Sequence, residues 1–158
     1  MKERRLEILG ILIVAVSLLV IISLFGYNSN EDPGISPNVR IENPLGILGL
    51  WIAYYFIKLG FGYMSFVLPI LGIIWGVWFF THKDFDAISR LSGYVIGAMI
   101  LSSISFGAAN LYGMSGMVGG LISGMFRDFL GIIGTMILLT ALWLVLIRGY
   151  FGFSYYHP

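Results

Sequence analysis

The sequence predicts an all-α integral membrane domain: four transmembrane helices plus two short interfacial or re-entrant helices, arranged as a parallel internal repeat. Three observations carry this. Hydrophobic residues make up 58% of the 158-residue chain and charged residues 11%, with a mean hydropathy of +0.92. A water-soluble domain of this length needs about twice that share of charge to cover its surface. The few charges fall in short clusters between apolar stretches long enough to cross about 30 Å of hydrocarbon. Finally, two Gly-x-x-Gly segments, Gly46–Gly49 and Gly116–Gly119, open similar stretches 70 residues apart.

The first span is expected over residues 6–25. Lys2, Arg4 and Arg5 precede an Ile/Leu/Val run from Leu6 to Phe25. That run exceeds the roughly 7–15 apolar residues of a secretory signal and lacks a small-x-small cleavage pattern, so it reads as a retained helix. Residues 26–44 follow as an outer loop, with Pro33, Pro37 and Pro44 among asparagines and a net acidic charge from Glu31, Asp32, Arg40 and Glu42.

From Leu45 to Phe80 the only charge is Lys58. One helix of that length would run about 54 Å, too long for a bilayer, and no polar turn divides it into two full spans. Lys58-Leu59-Gly60-Phe61-Gly62 is the natural division. It leaves an interfacial helix at 45–58, with Trp51, Tyr54 and Tyr55 suited to the headgroup level, and a second span at 62–80. Pro69 falls inside that span, where neighbouring helices can absorb a kink.

Residues 81–90 read as a polar hinge with His82, Lys83, Asp84, Asp86 and Arg90. The third span is expected at 91–109, the second interfacial helix at 114–127, and the fourth span at 129–147, closed by Arg148. With both termini in the cytoplasm, Lys2, Arg4, Arg5, Lys83, Arg90 and Arg148 lie inside, and Arg40, Lys58 and Arg127 outside, as the positive-inside rule requires. Each half is then a span, a Gly-x-x-Gly interfacial helix ending in a basic residue, and a returning span. Both halves start inside, which makes the repeat parallel.

The residues that invite a functional reading are few. Gly46, Gly49, Gly116, Gly120 and Gly124 are candidates for helix or subunit packing, since small residues at every third or fourth position let two backbones approach. Lys58 and Arg127 are charges within apolar sequence, expected with Trp51 to anchor the outer interface by snorkelling. Gly113, Met114, Ser115 and Gly116 match the G-x-S-G of intramembrane serine proteases. That chemistry needs a histidine beside the serine, and the two histidines, His82 and His157, fall on the other side of the membrane. No phosphate-binding loop is present, and two distant histidines without any cysteine make no metal site. A net charge of +1 gives no reason to expect nucleic acid as a direct ligand.

The order of these features resembles a known family. The basic N-terminus meets a span ending in Ser23-Leu24-Phe25-Gly26-Tyr27-Asn28 and then Glu31-Asp32-Pro33. Asn43-Pro44-Leu45-Gly46-Ile47-Leu48-Gly49-Leu50-Trp51 follows, then Gly62 to Pro69 leading to Trp75-Gly76, the Gly116–Gly134 segment, and a last span closing on Arg148-Gly149. This resembles the N-terminal four-transmembrane domain of the FtsK/SpoIIIE family of bacterial DNA translocases, over about residues 4–150. The resemblance implies an anchor for a cytoplasmic RecA-like motor that hydrolyses ATP with Mg, forms hexamers and pumps chromosomal DNA through the division septum. It implies an inner-membrane, septal location, contacts with division proteins (for which Glu31, Asp32 and Glu42 are candidates), and DNA contact only through the motor. Linker, Walker motifs and winged-helix domain are missing from this sequence, so no catalytic or cofactor-binding residue carries over. The stop soon after the fourth span favours a fragment of a longer protein over a stand-alone homologue. The competing reading is a small transporter or channel subunit, motivated by the repeat and by the two re-entrant-like segments.

Overall fold

The computed structural model describes residues 2–28 and 42–151, and these are helical almost throughout, with no strand among them. Helix α1 spans Lys2–Phe25 and α2 spans Gly46–Ala53, which runs on into a π-helical stretch, Tyr54–Phe61. A 3₁₀ segment, Gly62–Phe66, leads into α3, Val67–Thr81. Helix α4 spans Phe85–Ala108 and α5 spans Tyr112–Phe151. Four helical stretches are long and apolar enough to cross a membrane: Lys2–Phe25, Gly46–Thr81, Phe85–Ala108 and Tyr112–Phe151. Most of the outer loop, including Glu31 and Asp32, lies outside the described residues.

Helices α1 and α3 run antiparallel through a seam of small residues. A Cβ on Gly10 would sit 2.5 Å from the Gly76 carbonyl oxygen and 3.0 Å from the Phe80 nitrogen. One turn or two further along, Ser17 lies against Gly72, so backbone meets backbone as membrane helices require when no water drives them together. Helix α4 pairs with the last part of α5 in the same antiparallel sense, through Gly97 on Leu146 and Tyr94 on Tyr150, whose rings are 5.4 Å apart.

The connection between α3 and α4 is tight. His82 adopts a left-handed conformation (φ 56°) that closes α3, and the Asp84 carboxylate accepts the Asp86 N–H (3.2 Å) to cap α4. Only His82–Asp84 therefore leave the helix; of the residues that mark 81–90 as a hinge in the sequence, Asp86 and Arg90 sit on the first turns of α4. Pro69 lies in the first turn of α3. Its missing N–H would have bonded the Ser65 carbonyl, and the chain before it winds as 3₁₀ instead of kinking mid-span.

Segment 46–61 leaves and returns at one level of the bundle. Its entry, Asn43 and Pro44, packs on Gly26. Its exit returns to the same turn of α1, with Tyr63 on Tyr27 (6.2 Å) and Phe66 on Phe25 (5.2 Å). The residues before and after the segment therefore both lie against the C-terminal end of α1. Ala53 and Ile57, both 2% exposed, turn inward, while Ile47 and Leu48 face outward.

Helix α5 is broken twice by glycines, at Gly116 (φ 69°, ψ −178°) and Gly131 (φ 70°, ψ 179°). It therefore consists of a short turn, a helix over 117–130 and a helix over 132–151. Among the described residues, glycines with positive φ number four: Gly46, Gly62, Gly116 and Gly131. They fall in pairs, Gly46 with Gly116 at a spacing of 70 and Gly62 with Gly131 at 69. The single residue of difference lies where the first half carries the π-helical stretch Tyr54–Phe61, and an i→i+5 turn is what houses one extra residue in a helix.

Candidate functional site

Three groups of residues give this fold its distinctive geometry, and they lie at the end of the bundle opposite the start of α1 and the end of α5. The first is a node at Asn43. Its Nδ2 donates to the Ser23 carbonyl (2.9 Å), and its Oδ1 accepts the Leu45 N–H (3.1 Å). The Gly46 N–H in turn donates to the Asn43 carbonyl (2.9 Å). Asn43 is buried, and one side chain thus ties the last turn of α1 to the start of α2. Gly49 lies against that side chain, where a Cβ would be 2.6 Å from the Asn43 Cγ; Gly46 supplies the positive φ (61°) of the entry.

The second is a crossing of two helix breaks. A Cβ on Gly62 would lie 2.7 Å from the Gly116 nitrogen, and one on Gly116 would lie 2.8 Å from the Gly60 carbonyl carbon. Both glycines hold φ near +70°, a region costly to any residue with a side chain. Buried hydroxyls secure the surroundings: Ser65 Oγ donates to the Phe56 carbonyl and Ser103 Oγ to the Ser115 carbonyl. Ser115 itself is fully buried, its hydroxyl directed at the Tyr112 and Gly116 carbonyls (3.3 and 3.1 Å). His82 is at the other end of the bundle and His157 lies outside the described residues, so no histidine described here reaches Ser115.

The third is the contact of helix 117–130 with α4. Gly107 faces Ser123 and the Gly119 carbonyl, where a Cβ would be 2.6 and 2.8 Å away. Arg127 donates to the Ala108 carbonyl (2.7 Å) and to Asn110 Oδ1 (3.3 Å). Its cation thus sits on the open carbonyls at the C-terminus of α4, where the helix dipole favours positive charge. Asn110 adopts φ 65° and also accepts the Tyr112 hydroxyl (3.0 Å).

The remaining residues singled out in the sequence are placed as follows. Lys58 lies over the Tyr54 ring (5.6 Å) and borders a shallow cleft with Tyr112, Gly116 and Gly120. Trp51 stacks on Tyr55 (5.6 Å). Gly120 faces the Tyr112 ring of its own helix, and Gly124 faces open space. Glu42 is exposed. Asn43, Gly62, Ser103 and Ser123 were not among the sequence candidates. For Asn43 a signal exists, because asparagine followed by proline just before an apolar run marks a side chain free to bond its own backbone.

At the opposite end, His82 Nε2 meets Glu7 Oε1 (3.2 Å), joining the start of α1 to the α3–α4 turn. Arg90 lies over the Tyr94 ring (5.9 Å) and its Nη2 donates to the Gly149 carbonyl (3.4 Å), joining the start of α4 to the end of α5. Lys83 covers the Trp78 ring (4.7 Å). The first and last helices therefore begin and finish at one basic end, while Lys58 and Arg127 occupy the other. Among the described residues no cluster of three or more histidine, cysteine or carboxylate groups could hold a metal ion.

A family model described as the 4TM region of DNA translocase FtsK/SpoIIIE matches residues 2–157, essentially the whole chain. No solved structure matches it. With four helices long and apolar enough to cross a membrane, the chain belongs to the family of membrane regions of the FtsK/SpoIIIE DNA translocases.

Proposed function

We propose that this domain is a non-catalytic anchor and assembly module, which tethers a cytoplasmic ATP-driven DNA motor to the bacterial inner membrane at the division septum. In this reading, both termini are cytoplasmic, ATP and Mg belong to the motor alone, and DNA is met only there. The observation that carries it is the shared basic end, where α1 starts beside His82 and α5 finishes beside Arg90. A motor joined after α5 would hang from the face that carries Lys2, Arg4, Arg5, Lys83 and Arg148, the side that the positive-inside rule assigns to the cytoplasm.

The opposite end then faces outward, with Trp51, Lys58 and Arg127 as its anchors and Glu31, Asp32 and Glu42 as the contact offered to division proteins. Gly46, Gly49, Gly116, Gly120 and Gly124 would serve helix and subunit packing. We read the chain as two parallel units, α1 to α3 and α4 to α5, each with an interfacial helix opened and closed by a positive-φ glycine. Polar groups within the spans hold helices together: Trp75 Nε1 donates to Ser92 Oγ (2.7 Å) and Trp143 Nε1 to Ser105 Oγ (3.1 Å). Such use supports an anchor over a transport path, which would aim polar groups at a substrate.

The test is a domain swap in a full-length translocase. Replacing residues 2–151 by an unrelated four-span anchor of the same orientation should keep the motor on the membrane but lose septal enrichment and chromosome clearance. Full retention of both would reduce the domain to a passive tether.

A further inference from the structure

The crossing of Gly62 with Gly116 joins the closing break of the first unit to the opening break of the second. Were the two units related by a two-fold axis, the reciprocal contact would also exist, with Gly131 on Gly46. Among the described residues it does not: neither Gly46 nor Gly131 has any of their heavy atoms within 4 Å of its Cβ position, its own chain neighbours and helix backbone aside. The span packing has the same asymmetry. Helix α3 packs on α4, whereas α5 makes no comparable contact with α1. The relation between the units is therefore head to tail, and among the described residues it leaves one closing break and one opening break uncovered.

We propose that a second copy of this chain covers them, the Gly131 break of one copy docking on the Gly46 break of the next as Gly62 docks on Gly116 within the chain. Apolar exposure alone would not say this, because lipid accepts it. The argument is continuity with the interface already formed inside the chain. The surface needed is present twice, in the same glycine conformations, and used once. The side chains flanking Gly131 are among the barest of the molecule, Phe129 at 87% and Ile133 at 76%, although they adjoin a break at the outer end of the bundle, where headgroups and water begin. Because both units share one membrane orientation, repeating this contact advances around an axis along the membrane normal. A head-to-tail contact of that kind closes into a ring. The inference rests on the two-unit reading above and specifies the assembly surface within it.

The chain has no cysteine, so paired substitutions report directly. Ile47→Cys and Ile132→Cys flank the two open breaks, and Tyr63→Cys and Met117→Cys are their counterparts at the internal crossing. In oxidised membranes, the Ile47→Cys/Ile132→Cys double variant should give a ladder of covalent multimers ending at one closed species, with neither single variant forming dimers. The Tyr63→Cys/Met117→Cys double variant should close within one chain. Dimers from either single variant would mean a two-fold interface and overturn the proposal. So would an unlinked Ile47→Cys/Ile132→Cys variant beside a closed internal pair, since the breaks then face lipid. Failure of the internal pair would remove the premise. None of these outcomes bears on the domain swap, so loss of the head-to-tail contact and loss of the anchor role are read separately.

Discussion

Gly62 and Gly116 lie backbone to backbone, each at the break between two helical segments and each with φ near +70°. Their contact joins the two halves of the chain at the end of the bundle away from the termini. It depends on two residues that lack a side chain, since a Cβ on either would fall within 3 Å of the partner's main chain. The halves could otherwise meet only after both breaks had moved apart.

Gly62→Val and Gly116→Val should therefore each destabilise the domain by about 2 kcal/mol or more, combining a left-handed β-branched residue with overpacking. Gly124→Ala, which enters open space, should change stability by less than about 0.5 kcal/mol. Thermal unfolding in bicelles, followed by tryptophan fluorescence, separates the two. Equal midpoints for all three variants would contradict the crossing.

Asn43→Ala removes a donor to Ser23 and an acceptor for Leu45 while leaving both backbone groups in place. A loss of about 1–3 kcal/mol is expected, with faster proteolysis of the loop before α2. Asn43→Asp keeps the acceptor but sets a carboxylate against the Ser23 carbonyl, and should be no better than alanine. Rescue by aspartate would show that only the Leu45 bond matters.

For Arg127 the hydrogen bonds to Ala108 and Asn110 predict a geometric requirement beyond charge. Arg127→Lys should restore only part of the stability lost in Arg127→Leu, because one ammonium cannot reproduce the guanidinium fork across two acceptors. If lysine restored all of it, the residue would be acting as a snorkelling charge alone. Unfolding midpoints of the three proteins decide between these.

Sidedness is open to direct labelling. Single cysteines at Lys2, Lys83 and Arg148 should react with an impermeant maleimide only from the cytoplasmic face of inverted vesicles, and one at Lys58 only from the opposite face. Labelling of Lys83→Cys and Lys2→Cys from different sides would contradict the Glu7–His82 contact that places them together.

Much of this architecture is legible in the residues themselves. Hydropathy alone marks four apolar stretches, because a helix that satisfies its own backbone is what a chain this poor in charge can form in lipid. The spacing of glycines marks where those stretches interrupt. The charges at 81–90 are visible too, but not that Asp84 caps a helix through its own carboxylate, which leaves three residues of turn within a ten-residue stretch that reads as a hinge. Glycine spacing likewise points to Gly116, Gly120 and Gly124 as a row. In the fold the row that touches α4 is Gly119 and Ser123, with Gly120 turned to Tyr112 and Gly124 to open space.

By itself, then, the sequence determined the family, the helical class and the number of apolar helices, all of which depend on local composition and order. Only the tertiary structure decided that α1 pairs with α3 and α4 with the end of α5, that Asn43 ties α1 to α2, and that Gly62 meets Gly116. Those are relations between faces distant in sequence, and in an apolar solvent they are selected by shape, by which small residues allow two backbones to touch, and not by hydrophobicity that every face shares.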